Sequence, residues 1–173
     1  SILSHMHFQG GRYTFPMQRA QTLSTYQHPA YPDVKIETLR WPVSTVRVTG
    51  KDVAQMQAFA EQFLQTWRGY SDAAADVLAT TEENGESVAH NTVTPILHYD
   101  SEAGYVLDLV PRNNRTSEEY PAGIFHPHPE IHHIKKENIG LIEVMGLAIL
   151  PSRLETQSAL VAKVLAGRMD ASE

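Results

Sequence analysis

Apolar residues recur at helical spacing in the middle of the chain. They are Val53, Met56, Ala60, Phe63, Leu64 and Trp67. Thr49 can cap the first N–H groups of this run, Asp52 suits the positive end of a helix dipole, and Gly69 stands where the helix would end. Because this spacing places the apolar side chains on one face, the pattern predicts a helix with a buried face.

A second helical pattern lies near the C-terminal end of the chain. Ser152 and Glu155 have the spacing of a capping box, and Gly167 would end the helix. Its inner face would be formed by Leu154, Val161, Val164 and Leu165. A shorter helix is predicted over residues 73–78.

Runs rich in β-branched and alternating residues predict strands. These runs cover residues 12–15, 34–41, 43–48, 92–99 and 105–110, and a long apolar run at 139–150 is predicted to be a buried central strand. Pro95 would interrupt the fourth run, and residues 100–104 would form a hairpin connection. The remaining stretches favour loops, namely an irregular one over 18–33 and solvated turns over 82–86 and 118–123. Since nothing divides the chain, we predict a single domain over residues 1–173.

Composition excludes several classes of protein. The chain is 42% apolar and 20% charged, which is typical of a globular protein with a hydrophobic core. A net charge of -6 argues against nucleic acid as the main partner. Absence of cysteine excludes disulfides and thiolate metal sites and fits the cytosol. No apolar run approaches the length that crosses a membrane.

The densest candidate chemistry lies at the start of the chain. His5, His7 and Gln9 alternate, so an extended backbone would place all three on one side. Gly10 and Gly11 follow, and glycine permits close approach of the backbone to a ligand. One imidazole could attack a phosphorus atom while the amide and backbone N–H groups hold its oxygens. Alternatively, the histidine pair belongs to a metal site.

Two further stretches allow two interpretations each. Residues 112–116 read Arg-Asn-Asn-Arg-Thr, which is either a polar loop or an anion-binding group with two guanidiniums and two amides. His126 and His128 would share a face if extended and could bind zinc or iron, with His90 as a candidate third ligand. Otherwise these imidazoles make hydrogen bonds in a polar cleft.

Longer blocks of the chain resemble a known family. Residues 124–151 read IFHPHPEIHHIKKENIGLIEVMGLAILP, and the segments HMHFQGG at 5–11, NTVTPI at 91–96 and RNNRTSEEYP at 112–121 accompany them. Together they resemble galactose-1-phosphate uridylyltransferases of the branch found in Gram-positive bacteria. The resemblance implies an α+β fold with a histidine-triad-like antiparallel sheet and packed helices. The chain would be the C-terminal part of such an enzyme, with the N-terminal part missing.

The resemblance also implies an activity. In this family UMP moves from UDP-glucose to galactose 1-phosphate through a uridylyl–histidine intermediate, and UDP-galactose is the product. His7 maps to the nucleophile, Gln9 to the phosphoryl contact and His5 to a zinc ligand of the better-known branch. Iron occurs in some members at positions matching His126 and His128. Candidate substrate-binding residues are His5, Gly10, Gly11, Arg12, Arg112, Asn114 and Arg115. A cytoplasmic homodimer is expected.

Two alternatives to a complete transferase stay open. The chain could be a nucleotide-binding or dimerisation domain of such an enzyme without turnover of its own. It could also be a histidine-triad nucleotide hydrolase. Hydrolases of that kind usually carry a third alternating histidine, and Gln9 in that place favours transfer.

Overall fold

A five-stranded antiparallel sheet forms the centre of the molecule. The structure is a computed structural model and describes residues 8–137 and 139–170. Its strands are β1 (Thr22–His28), β2 (Tyr31–Leu39), β3 (Val46–Gly50), β4 (Thr80–Glu83), β5 (Glu86–Ala89), β6 (Asn91–Asp100) and β7 (Gly104–Asn113). The main sheet has the order β1-β2-β3-β7-β6, and β4 and β5 form a separate hairpin.

Helices lie against the sheet and along the C-terminal part of the chain. They are α1 (Val53–Arg68), α2 (Leu141–Val144) and α3 (Arg153–Leu165), with short 3-10 turns at Pro16–Arg19, Ala73–Ala75 and Pro129–Ile131. Mixed helices and an antiparallel sheet confirm the α+β class. Among the described helices, none is long and apolar enough to cross a membrane.

The predicted helix α1 is confirmed, and it covers one face of the sheet. Its N-cap is Asp52, whose Oδ1 accepts hydrogen bonds from the N–H groups of Ala54 (3.0 Å) and Gln55 (3.1 Å). Thr49 lies in β3 instead, and Gly69 ends the helix as predicted. The core under α1 consists of Val34, Ile36, Val48, Met56 and Leu109.

A second core lies on the opposite face of the sheet. Its buried members are Met17, Val110, Val144 and Met145. The backbone N–H of Met17 donates to the carbonyl oxygen of Met145 at 3.2 Å. The Trp41 indole N–H donates to the carbonyl of Val144 at 2.9 Å. These contacts hold the first 3-10 turn against the loop around α2.

Two predictions for the first 33 residues are wrong, whereas the strand predicted over 34–41 is confirmed over residues 34–39 by β2. Residues 12–15 are irregular, and the predicted loop at 18–33 contains β1 and the start of β2. His28 pairs with Tyr31, so Pro29 lies in the turn of a hairpin. Because β1 is an edge strand with exposed side chains, it lacks the apolar alternation that marks a half-buried strand.

Pro95 does not interrupt β6, contrary to the prediction. It pairs with Leu109 inside a continuous ten-residue strand. Since β6 lies at the edge of the sheet, the N–H that proline lacks is not needed by a further strand. The hairpin at 100–104 and the turn within 82–86 are confirmed, although the strands β4 and β5 beside that turn were not predicted.

The C-terminal predictions fail in two places. Residues 139–150 form α2 and irregular backbone rather than a strand, because Gly140 begins a helix and Gly146 has a φ of +100°. Helix α3 exists, but the Ser152 side chain makes no capping hydrogen bond and none of its residues is buried. At 73–78 only the turn Ala73–Ala75 is helical.

Candidate functional site

The described part of the opening motif is open to solvent. His5 and His7 lie outside the described residues. Gln9 and Arg12 are exposed in irregular backbone, and a Cβ built on Gly10 or Gly11 would meet no atom within 4 Å. Nothing in the described chain therefore occupies the space beside these two glycines.

Arg47 links the segment that follows the motif, at residues 17 and 18, to the sheet through hydrogen bonds. Its Nη2 donates to the carbonyl of Met17 at 3.0 Å, and Nη1 donates to that of Gln18 at 3.4 Å. The same guanidinium donates to both carboxylate oxygens of Asp108, at 2.7 and 2.8 Å. Asp108 is only 1% exposed, so this ion pair is shielded from water.

Arg112 shares a sheet face with these groups. Side chains alternate along a strand, so Asp108, Val110 and Arg112 of β7 point to one side. Val110 packs against Met17 on that side. The other side faces α1, where Pro111 lines an open apolar cleft of about 240 Å³ together with Trp67. The segment that follows the motif thus lies on the same face as Arg112.

The two arginines of the 112–116 stretch have different surroundings. Arg112 is exposed, and its guanidinium has no hydrogen bond or ion pair within the described residues. Arg115 is engaged, because its Nη2 donates to the carbonyl of Asp76 at 2.8 Å and to the Asp76 carboxylate at 3.0 Å. Arg112 is therefore the guanidinium that remains available to an anion, while Arg115 fastens a loop.

His90 is buried and fully hydrogen-bonded. Its Nδ1 lies 3.0 Å from Asn114 Oδ1, and its Nε2 lies 2.7 Å from Thr81 Oγ1. An amide oxygen only accepts, so Nδ1 carries the proton and Nε2 accepts from the hydroxyl. With both ring nitrogens engaged, His90 has no lone pair to offer a metal ion. Asn114 is likewise occupied by His90.

His128 is held from two directions. Its ring stacks on Tyr120 with centroids 3.9 Å apart and an interplanar angle of 16°. Its Nε2 donates to the carbonyl of Ile124 at 2.9 Å, and its Nδ1 lies 3.7 Å from Oε1 of Glu130. The His126 ring lies 6.3 Å from that of His132.

These histidines do not assemble the metal site that the sequence suggested. Within the described ranges, no three His, Cys, Asp or Glu side chains form a group that could hold a metal ion. His90 in particular does not fit as a ligand. Zinc or iron stays a prediction, and we derive no chemical step through a metal.

One histidine on the Arg112 face was not singled out from the sequence. His98 of β6 has a buried Nδ1 that finds no hydrogen-bond partner in the described structure. Burial lowers the pKa of His98, and the nearby Asp108 carboxylate opposes that effect without reversing it. Folding therefore favours the neutral form of this ring.

Sequence reasoning also missed two buried polar pairs. One is Arg47 with Asp108, and the other is Asn91 with Asn113, joined by a 2.7 Å hydrogen bond. A signal for the first was visible, since Arg47 is a charged residue between Val46 and Val48 in a β-branched run. Nothing local indicated its partner.

Fold and site together define an α+β domain with an antiparallel sheet, an exposed glutamine followed by two glycines, and on β7 a guanidinium without a partner among the described residues. The model of the family "Galactose-1-phosphate uridyl transferase, C-terminal domain" matches residues 1–172. The chain belongs to this family. No solved structure matches it.

Curated relatives are similar over nearly the whole chain. Galactose-1-phosphate uridylyltransferase of Caldanaerobacter subterraneus subsp. tengcongensis is 53% identical over 97% of this chain and 32% of its own length. The Bacillus subtilis protein of the same name is 50% identical over 95% and 31%, and the Staphylococcus carnosus protein is 46% identical over 99% and 34%. The chain spans about a third of the length of these relatives.

Proposed function

We propose that this chain is the nucleophile-bearing part of a UDP-glucose–hexose-1-phosphate uridylyltransferase. The supporting observation is the family match over residues 1–172, which includes the whole H-x-H-x-Q-G-G segment. The relatives' name, galactose-1-phosphate uridylyltransferase, specifies the substrate class. The proposed substrates are UDP-glucose, UDP-galactose and hexose 1-phosphates.

The proposed reaction has two displacements at phosphorus. The His7 imidazole attacks the α-phosphorus of UDP-glucose, a P–N bond forms, and the P–O bond to glucose 1-phosphate breaks. A phosphate oxygen of galactose 1-phosphate then attacks the same phosphorus, releasing His7. A neutral imidazole suits both steps because it is not repelled by the phosphoryl oxygens and titrates near physiological pH.

Donors for the phosphoryl oxygens would come from the exposed residues after His7. Gln9, Gly10 and Gly11 are exposed, and a Cβ built on either glycine would meet no atom within 4 Å. Arg112 adds a guanidinium on the face where the following segment packs. Removing one donor of this kind typically costs on the order of a hundredfold to a thousandfold in rate.

Covalent labelling tests the proposal. The full-length protein is mixed with UDP-glucose labelled in the uridylyl phosphate, denatured, and assayed for protein-bound label. We expect label on the wild type and on a His133→Ala control, and none on His7→Ala. Label that persists in His7→Ala, or its absence from the wild type, would contradict the role of His7.

Binding without turnover is the second candidate function. It is favoured by the open surroundings of Gly10 and Gly11, which leave the described motif without a closed pocket. Calorimetry of the 173-residue chain with UDP separates the two functions. Binding of UDP by a chain that never acquires label favours the binding module, whereas label on this chain excludes it.

A further inference from the structure

The turn between β4 and β5 has an unusual pair of residues. Asn84 and Gly85 both adopt left-handed backbone, with φ of 53° and 82°. Asparagine followed by glycine is the preferred pair for such a two-residue hairpin turn. Asn84 is also the one asparagine in the sequence that a glycine follows. The next backbone nitrogen therefore has no neighbouring Cβ to shield it.

Both reactive groups of this turn are free. Asn84 and Gly85 are exposed, and within the described structure neither the Asn84 carboxamide nor the Gly85 N–H makes a hydrogen bond. The three other asparagines within the described ranges are hydrogen-bonded: Nδ2 of Asn91 donates to the carbonyls of Trp67 (2.7 Å) and Tyr70 (2.8 Å). Asn113 and Asn114 are likewise hydrogen-bonded.

The turn is also weakly supported. The residues directly opposite each other at its base are Glu83 and Glu86, and like charges in that position are destabilising. The hairpin has two four-residue strands, and no further strand among the described residues pairs with it. An isolated two-stranded hairpin is marginally stable, so its tip can open without unfolding the domain.

We infer that Asn84 is a site of spontaneous covalent modification, through ring closure onto Gly85. The Gly85 nitrogen loses its proton and attacks Cγ of Asn84, the Cγ–N bond of the carboxamide breaks, and ammonia leaves. Water then opens the resulting succinimide at one of its two carbonyl carbons. The products are aspartate or isoaspartate, so the net change is one water consumed and one ammonia released.

The modification would act on the hairpin itself. Either product places a new carboxylate beside Glu83 and Glu86, and isoaspartate also inserts a methylene into the backbone of the turn. Both changes weaken the β4–β5 pairing. Thr81 of β4 supplies the hydroxyl that His90 Nε2 accepts at 2.7 Å, so loss of the hairpin register would release His90.

Peptide mapping of aged protein tests the inference. The folded chain is kept in mildly alkaline buffer, digested, and assayed by mass and by enzymatic isoaspartate labelling. We expect conversion at residue 84 to exceed that at Asn91, Asn113 and Asn114 several-fold. Asn84→Gln, which moves the carboxamide one methylene further from Gly85, should abolish it.

A parallel sample in urea shows how far the folded structure slows conversion at residue 84. Because the turn opens readily, the rate of conversion at residue 84 in the folded chain should be within a few-fold of the rate in urea. Conversion that occurs only in urea, or that is as fast at Asn114 as at Asn84, would overturn the inference. Conversion that persists in Asn84→Gln would place the reaction elsewhere in the peptide and overturn it too.

Discussion

Arg47 and Asp108 form a buried, two-pronged ion pair between β3 and β7, with nitrogen–oxygen distances of 2.7 and 2.8 Å. The pair lies on the sheet face that receives the segment after the H-x-H-x-Q motif. Because Arg47 also donates to the Met17 carbonyl, one guanidinium joins the two strands and that segment. The packing of this segment therefore depends on the buried charge of Arg47.

The first prediction concerns the loss of one partner of this pair. Asp108→Asn removes the carboxylate that binds the buried Arg47 guanidinium directly and leaves only the charge of Glu37 on β2 nearby, and breaking such a buried pair typically costs about 3–5 kcal/mol of unfolding free energy. The matched control is Asp76→Asn, since Asp76 also pairs with an arginine but its side chain is 69% exposed. That change should cost about 1 kcal/mol or less. Urea unfolding followed by circular dichroism measures both.

A double variant distinguishes charge from packing at this site. Arg47→Met with Asp108→Leu removes both charges, so it should recover most of the loss seen in Asp108→Asn. Part of the loss remains, because the Met17 and Gln18 carbonyls lose the hydrogen bonds that Arg47 donates. A double variant as unstable as the single one would mean that the ionic contact does not determine stability here.

The second prediction concerns Gly146, where the loop after α2 crosses Trp41. A Cβ at Gly146 would lie 2.8 Å from the indole, and its φ of +100° strains any other residue. Gly146→Ala should therefore destabilise the domain by about 1–3 kcal/mol. Gly167 also has a positive φ, but a Cβ there meets no atom within 4 Å.

Comparing the two alanine variants isolates the steric contact. Gly167→Ala carries backbone strain alone and lies at the end of a helix that buries no residue, so its cost should be smaller. Thermal unfolding gives the two costs, and the fluorescence of Trp41 reports the local change. Equal melting temperatures for both variants would contradict the close contact between Gly146 and Trp41.

Local signals explain which elements the sequence could predict. Helix α1 carries its own periodicity and its end at Gly69, so both were predicted without knowing the fold, whereas the cap was predicted at Thr49 and is Asp52 because β3 runs through Thr49. β1 could not be found in this way, because an exposed edge strand has no apolar alternation. The run at 139–150 was misread because apolar composition does not reveal the left-handed φ of Gly146.

The candidate site likewise has features that a local sequence signal indicates and features that it does not. Gln9, Gly10 and Gly11 were singled out from residue type as donors to phosphoryl oxygens; the structure shows them exposed, and their role stays a prediction. What Arg112 and Arg115 contact could not be predicted, because Asp76 lies 39 residues from Arg115 along the chain. Arg47 and Asp108 are 61 residues apart. Such pairings follow from sheet register, which no local pattern specifies.

The third prediction concerns the contribution of Glu37 to stability at acid pH. Burial acts to raise the pKa of Glu37, but hydrogen bonds from Lys35 and Thr22 and the charges of Lys35 and Arg47 lower it below its ordinary value of 4.5. The ionised form is thus favoured by folding. Its contribution to stability is complete above pH 4.5 and is lost as pH falls through the lowered pKa.

The free energy of unfolding measured as a function of pH checks whether folding lowers the pKa of Glu37. Unfolding free energy should fall less steeply in Glu37→Gln than in the wild type as pH drops below the ordinary glutamate range. Lys35→Met removes the ammonium 2.8 Å from the Glu37 carboxylate, so this variant should lose stability at a higher pH than the wild type does. Curves for wild type and Glu37→Gln that stay parallel throughout the acid range would contradict the lowered pKa.

The fourth prediction contrasts the two arginines of the 112–116 stretch. Arg112 has a guanidinium without partners in the described chain, whereas Arg115 is engaged by Asp76. If Arg112 binds a phosphoryl oxygen, Arg112→Ala removes a charge-assisted hydrogen bond worth about 1.5–3 kcal/mol, which corresponds to roughly a tenfold to a hundredfold weaker affinity for UDP. Its unfolding free energy should change little, because the side chain is exposed.

Arg115→Ala should show the reverse pattern, since its side chain fastens the loop containing Asp76 rather than facing a ligand. We expect a loss of stability with UDP affinity changed by less than in Arg112→Ala. Arg112→Lys keeps the charge but not the planar fork, so it should recover only part of the affinity. Calorimetry with UDP and urea unfolding on the same preparations measure both quantities. UDP affinity that falls equally in Arg112→Ala and Arg115→Ala would mean that both guanidiniums reach the anion, and the pairing of Arg115 with Asp76 would then have to open on binding.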